Sequence, residues 1–108
     1  MNNIKLSVLQ SGERIIAKTS EATREIEGGP RFIGYVLEDP QLVEFQDSET
    51  LMEESGNSSV SIVLRPWIDL AKDNQFLVPP IQIVTMCDPI EEVYNIYVEK
   101  VGGESENA

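Results

Sequence analysis

The sequence contains no histidine and a single cysteine, Cys87, among its 108 residues. Without histidine there is no imidazole for acid–base chemistry, for a Ser-His-Asp or Cys-His catalytic group, or for metal binding. One cysteine excludes an internal disulfide and a cysteine-rich zinc site. We expect Cys87 to be a buried or half-buried packing residue, because no histidine is present to activate it. These absences exclude most familiar hydrolases and predict a non-enzymatic protein without a cofactor.

Basic residues are also scarce, since eight Lys and Arg stand against nineteen Asp and Glu and give a net charge of −11. No basic residue occurs between Arg31 and Arg65. Such a charge keeps a protein soluble and repels polyanions, so nonspecific binding to nucleic acid should be weak. The acidic stretch 46–59 lacks the glycine and the regular ligand spacing of an EF-hand. We therefore expect a solvated surface loop there and no metal site.

Long hydrophobic runs are absent as well. No apolar run approaches the roughly 18 residues that cross a bilayer, which argues against a membrane partner. The N-terminal residues show neither a basic start with a long apolar stretch nor a small-residue cleavage site. We therefore expect a cytoplasmic protein. The length suits one domain, predicted over 1–103, followed by a disordered acidic tail over 104–108.

Apolar residues recur in short segments that are typical of β-strands. These segments cover 4–8, 14–18, 31–37, 42–45, 60–64, 76–78 and 81–86. Ser11-Gly12 predicts a tight turn, and Glu27-Gly28-Gly29-Pro30 predicts a break in the chain. Asp39-Pro40 should bend a strand, and Lys72-Asp73-Asn74 looks like the tip of a hairpin. The chain is thus predicted to be mainly β.

The C-terminal region predicts one helix, over about 89–101. Asp88 can cap the first turn, and Pro89 fits the first helical position. One helical face carries apolar residues, namely Ile90, Val93, Tyr94, Tyr97 and Val101. Gly102-Gly103 supplies a stop signal. We expect this face to pack on the strands or on a neighbouring subunit.

Three segments resemble the signature motifs of Sm-like proteins. Leu9 to Ala17 (LQSGERIIA) is similar to the opening hairpin of the first motif, and Ile33 to Asp39 (IGYVLED) to its third strand. Phe76 to Val84 (FLVPPIQIV) resembles the second motif. Short acidic Sm-like proteins of cyanophage origin offer the nearest likeness. The resemblance implies a five-stranded antiparallel open barrel, here with a long β-hairpin insertion and a C-terminal helix.

The resemblance also implies how the protein assembles and where RNA would lie. In Sm-like proteins the fourth strand of one subunit pairs with the fifth of the next, which closes a homo-oligomeric ring of roughly five to seven subunits. The corresponding interface positions are Phe76, Val78, Ile81 and Ile83. By position, RNA would meet Gly34, Pro79 and Pro80, with Trp67 as a stacking residue. Gly34 replaces the family's asparagine and the prolines replace its Arg-Gly, so these positions lack base-binding side chains.

Two functions stay open at this point. One is a ring associated with RNA in phage or host metabolism, which the resemblance implies. The other is a protein-interaction adaptor or virion-associated scaffold, which presents its acidic loops and Trp67 to a basic partner and does not bind RNA. Trp67 could instead be a lid on the core, its commoner role at a hairpin. Metal-dependent hydrolysis is a third alternative, disfavoured because the sequence lacks ligand spacing.

Overall fold

A computed structural model of the chain describes residues 3–47 and 60–102. The predicted tail over 104–108 and residues 48–59 of the predicted acidic loop lie outside the described residues. The described residues form six strands, which are β1 (Ile4–Leu9), β2 (Arg14–Ile26), β3 (Gly29–Asp47), β4 (Val60–Pro66), β5 (Gln75–Val78) and β6 (Ile83–Cys87). A 3₁₀ turn (Pro80–Gln82) precedes β6, and helix α1 (Glu91–Tyr97) continues as a π-helical segment (Val98–Gly102).

All six strands belong to one antiparallel sheet with the order β4-β3-β2-β1-β6, and β5 also pairs with β3. The sheet must curl, because β5 and β6 lie on opposite sides of the β1–β2–β3 group and yet are joined by only a short 3₁₀ turn. No ladder connects β5 to β6. The mainly β fold with a C-terminal helix is confirmed, and the sheet remains open.

The sheet has six strands and not the five predicted. The edge beside β3 is interrupted, because it holds two strands, β4 and β5. β4 pairs with the second half of β3, from Gln41 to Asp47, and β5 pairs with its first half, from Tyr35 to Glu38. The prediction that Lys72-Asp73-Asn74 is a hairpin tip is therefore wrong, since β4 and β5 do not pair with each other. β4 and β5 lie end to end along β3, because β3 is long enough to pair with both. The long hairpin is instead formed by β2 and β3.

The hydrophobic core has two parts, one on each side of the sheet. Inside the curl, buried residues from four strands pack together: Leu9, Ile15, Ala17, Leu37 and Val78. On the outer face, α1 and the π-helical segment cover Ile4, Ile16, Val43 and Leu64 with Val93, Tyr97 and Val101. Ile15, Ile16 and Ala17 are thus consecutive and all buried. A continuous apolar run is what a strand covered on both faces requires.

The helix begins later than predicted. Its first residue is Glu91, and Ile90 occupies the N-cap position without a side-chain cap. The predicted capping by Asp88 is wrong, since Asp88 Oδ1 accepts a hydrogen bond from Lys5 Nζ at 2.6 Å. Val93 and Tyr97 of the predicted apolar face are buried, whereas Ile90 is 64% exposed. The helix therefore packs on the sheet through its second half and the segment that follows.

Candidate functional site

The predicted RNA-binding position Gly34 lies in β3 against the backbone of β5. Its φ is +153°, and a Cβ placed there would lie 2.5 Å from the Val78 carbonyl oxygen. Glycine is therefore required for the close approach of the two strands. Pro79 and Pro80 are exposed and lead into the 3₁₀ turn. Neither Gly34 nor the prolines carry a polar side chain that could bind a base edge.

The predicted interface residues differ in their exposure. Val78 is 5% exposed and belongs to the inner core, and Ile83 is half-buried against that core. Phe76 is also half-buried, and its ring meets Trp67 edge to face at 5.9 Å between centroids. Ile81 is 75% exposed. Of the four side chains, only that of Ile81 points largely to solvent, so Val78 would contribute mainly its backbone to an interface.

A pocket of about 170 Å³ opens at the interruption between β4 and β5. Pro40 and Gln41 of β3 form one wall, and Trp67, Asp73 and Phe76 form another. A backbone hydrogen bond joins the two walls, since Trp67 N donates to the Pro40 carbonyl oxygen at 3.1 Å. Trp67 and Phe76 are thus brought together here, whereas the other predicted RNA and interface positions do not line the pocket.

The β3 wall is shaped by a bend at Asp39, whose φ is +52°. This conformation is uncommon for a residue other than glycine. Several contacts hold the bend, since Asp39 N donates to the Asn74 oxygen at 2.8 Å and Asn74 Nδ2 donates to Asp39 Oδ1 at 2.7 Å. Tyr97 Oη reaches the carbonyl oxygens of Glu38 and Asp39 at 3.2 and 2.9 Å. The predicted bend at Asp39-Pro40 is confirmed.

Two residues that line the pocket carry oxygen atoms without partners among the described residues. Gln41 is 8% exposed, and its Oε1 is buried without a hydrogen bond. Asp73 is exposed, and none of the ion pairs in the described part of the chain includes it. The Asp39 carboxylate is already engaged by Asn74 and by Lys18, whose Nζ lies 3.6 Å away. Sequence reasoning singled out Trp67 but missed Gln41.

Trp67 itself is half-buried and anchored. Its Nε1 donates to Glu13 Oε1 at 3.3 Å, and its ring packs against the inner core. The indole covers the core, as one of the two predicted alternatives has it, and it also forms part of an open pocket. Burial and the contact with Phe76 fix its orientation without help from a ligand. The predicted role in stacking or in binding a partner stays a prediction.

A second pocket of about 240 Å³ lies on the inner side of the sheet, beyond the core. Lys5, Thr19, Tyr35 and Met86 are among its lining residues. The ammonium of Lys5 is engaged by Asp88 at the protein surface. Asn3, Ser20 and Glu21 also line the pocket, so amide, hydroxyl and carboxylate groups border its apolar surface.

The described residues contain no group of three or more Cys, Asp or Glu side chains that could hold a metal ion. Within the same part of the chain, no helix is long and apolar enough to cross a membrane. Cys87 is exposed at the end of β6. The expectation that Cys87 is buried or half-buried is therefore wrong, because Cys87 ends β6, which is an edge strand of the sheet that the described residues form.

A model for a family of unknown function (DUF6561) matches residues 2–102. The chain belongs to this family. No curated protein matches the sequence. The match spans the six strands, α1 and the π-helical segment, so the pocket at Trp67 lies within the region that defines DUF6561.

Proposed function

We propose that this member of DUF6561 is a non-enzymatic Sm-like protein that assembles into a homo-oligomeric ring and acts as a scaffold for another protein. The observation that supports this proposal is the pair of open sheet edges at β5 and β6. Each has one strand neighbour in the described sheet, β3 for β5 and β1 for β6. Unpaired edge groups favour pairing with another chain.

The strand order supports the Sm-like part of the proposal. Because β4 and β5 are aligned along β3, they correspond to one interrupted strand. If β4 and β5 are counted as one strand, the sheet has five strands, and the last of them, β6, pairs with the first, β1. The fourth strand (β4 with β5) and the fifth strand (β6) are then the two edges of the sheet. These are the strands that pair between subunits in the family that the sequence resembles.

Exposed apolar side chains lie on these edges. Leu77 of β5 is 55% exposed, Val84 of β6 is 60% exposed, and Ile81 in the turn between them is 75% exposed. Val84 also sits at an irregularity in the ladder with β1, where it has no register partner. Burying apolar surface contributes roughly 25 cal/mol per Å². Pairing β5 of one subunit with β6 of the next would cover these side chains and both rows of backbone groups.

Charge favours a scaffold over an RNA-binding ring. Each subunit carries −11, and a ring multiplies that charge. Three of the cations, Lys5, Lys18 and Arg65, are paired with carboxylates. Few cations are left to neutralise phosphates.

Association with RNA is the second candidate, and the paired arginines of the long hairpin favour it. Arg24 and Arg31 lie directly opposite each other in the β2–β3 ladder, and both are exposed. Two adjacent guanidinium groups can bind a phosphate. Fluorescence anisotropy with labelled oligo-U and oligo-A should show weak binding without base preference, and Arg24→Gln should weaken it further. A tight, U-selective complex would favour the RNA function over the scaffold.

Light scattering coupled to gel filtration tests the ring directly. We expect a mass of several subunits, roughly five to seven. Val84→Asp and Leu77→Asp should each dissociate the assembly, because a carboxylate would be buried at the paired edges. Ile26→Asp is the matched control, since Ile26 is 40% exposed near the turn of the β2–β3 hairpin, away from β5 and β6. A wild-type mass of 12.1 kDa at micromolar concentration would overturn the proposal.

A further inference from the structure

The pocket at Trp67 combines aromatic walls with unpaired oxygen acceptors. Trp67 and Phe76 supply the aromatic part, and the exposed Asp73 supplies carboxylate oxygens that no ion pair among the described residues engages. Gln41 also lines the pocket, but its Oε1 is buried from solvent and not available to a ligand. A ligand that donates hydrogen bonds can pair with the Asp73 carboxylate. The pocket is therefore suited to a donor group with an apolar or planar surface.

We propose that this pocket binds the guanidinium group of an arginine side chain presented by a basic partner protein. Guanidinium is planar, carries only donors and is weakly hydrated, so it can stack on an aromatic ring while it donates to oxygen atoms. The inference names the partner chemistry for the proposed scaffold. It does not depend on ring formation, because every wall of the pocket belongs to one chain.

The negative charge around the pocket favours a planar cation over neutral or anionic planar ligands. The carboxylates of Asp39 and Asp73 both line the pocket, and the whole chain carries −11. A nucleotide phosphate would be repelled here, although its base could stack on Trp67. A bare metal ion is disfavoured, because the described residues provide no cluster of three or more Cys, Asp or Glu side chains. An arginine side chain satisfies both the aromatic walls and the acidic surroundings.

The pocket has room for the end of a side chain. Its volume of about 170 Å³ is well above the roughly 10–15 Å³ that one water needs on the same measure. The rest of a larger ligand would lie at the open side of the pocket. A partner peptide would therefore insert one arginine and place its neighbouring residues along the acidic surface.

Trp67 is the only tryptophan of the chain, so its fluorescence reports on this pocket. The probes are N-acetyl-arginine amide, its neutral isostere N-acetyl-citrulline amide, and AMP. We expect a saturable change in emission with the arginine probe, in the millimolar range that suits a single side chain. The citrulline probe should bind at least about tenfold more weakly, because it lacks the charge. AMP should bind more weakly than either.

Two variants and one control link the signal to the pocket. Asp73→Asn removes the unpaired carboxylate, and we expect it to weaken the arginine probe about fivefold. Phe76→Leu removes the aromatic ring beside Trp67 and should weaken binding about threefold if the protein remains folded. Asp69→Asn is the control, since Asp69 is exposed in the same turn and does not line the pocket. It should leave binding unchanged.

Several outcomes would overturn the proposal. They are a linear response without saturation up to about 100 mM, equal binding of the citrulline probe, tighter binding of AMP, or equal effects of Asp73→Asn and Asp69→Asn. Repeating the titration with Val84→Asp separates this inference from the ring proposal. Arginine binding that persists in that variant supports the pocket whether or not the wild type is a ring.

Discussion

The hydroxyl of Tyr97 connects the C-terminal helix to the bend in β3, and its removal should destabilise the protein. Tyr97 is fully buried, and its Oη lies 3.2 Å from the Glu38 oxygen and 2.9 Å from the Asp39 oxygen. Tyr97→Phe keeps the ring and deletes this donor. A hydrogen bond contributes about 1 kcal/mol, and an acceptor left unsatisfied costs about 1–3 kcal/mol. We expect the free energy of unfolding to fall by about 2 kcal/mol.

Urea denaturation at a fixed protein concentration measures this loss. With a slope of about 1–3 kcal/mol per molar urea, the midpoint should fall by about 1 M. Tyr94→Phe is the matched control, because Tyr94 is half-buried on the same helix and no hydrogen bond of its hydroxyl is found within the described residues. Its midpoint should change little. Equal midpoints for Tyr97→Phe and wild type would refute the role of the hydroxyl.

The same residue predicts how stability depends on alkaline pH. Burial raises the pKa of the Tyr97 phenol, and the negative charges of Asp39 and Glu38 raise it further. The folded protein thus retains a proton that the unfolded chain loses above about pH 10. The stability from neutral Tyr97 is fully present below that pH and is lost as the pH rises towards the folded pKa. Tyr97→Phe should show a smaller loss than wild type over this range.

The remaining predictions concern the sheet and its charge. Gly34→Ala should destabilise the protein by about 2 kcal/mol or more, because its Cβ would meet the Val78 oxygen at 2.5 Å. Gly28→Ala should destabilise the protein less, since its Cβ meets nothing within 4 Å. Arg31→Glu should stabilise the protein by about 0.2–1 kcal/mol, because it replaces the like-charge pair with Arg24 by an opposite pair; thermal unfolding measures both effects. The proposed ring should gain stability when salt is raised from about 0.01 to 0.15 M, because screening weakens repulsion between acidic subunits; a mass that falls with added salt would contradict this.

Short sequence patterns predicted those parts of the fold that depend on a few neighbouring residues. The alternation in 4–8 corresponds to β1, and the apolar run 31–37 lies in β3. The tight turn at Gly12, which has a φ of +94°, and the bend at Asp39 also follow from turn residues. The helix was predicted from the spacing of Val93, Tyr97 and Val101, all of which are buried. Burial of one helical face explains why this spacing is informative.

The length of the β2–β3 hairpin could not be predicted from hydrophobicity. The strand expected over 14–18 continues to Ile26, although most residues beyond Thr19 are exposed. Backbone pairing with β3 holds this part, with Glu25 opposite Pro30 and Ile26 opposite Gly29. Because backbone hydrogen bonds do not depend on apolar side chains, an exposed ladder leaves little trace in the hydrophobic pattern.

The candidate site was only partly predictable, because its parts come from separate segments of the chain. Trp67 stands out as the single tryptophan of the sequence. Gln41 is an ordinary polar residue that follows Pro40, and nothing in the sequence around it indicates that it is buried. Gln41 is buried where β3 is paired on both sides, with Ile16 of β2 and Pro66 of β4. The hydrogen bond between Trp67 N and the Pro40 oxygen joins the turn that begins at Trp67 to the bend at Asp39. That junction depends on β4 and β5 sharing β3 as their partner. The chemistry of the pocket is thus a consequence of strand pairing at long range, whereas its aromatic component is visible in the sequence.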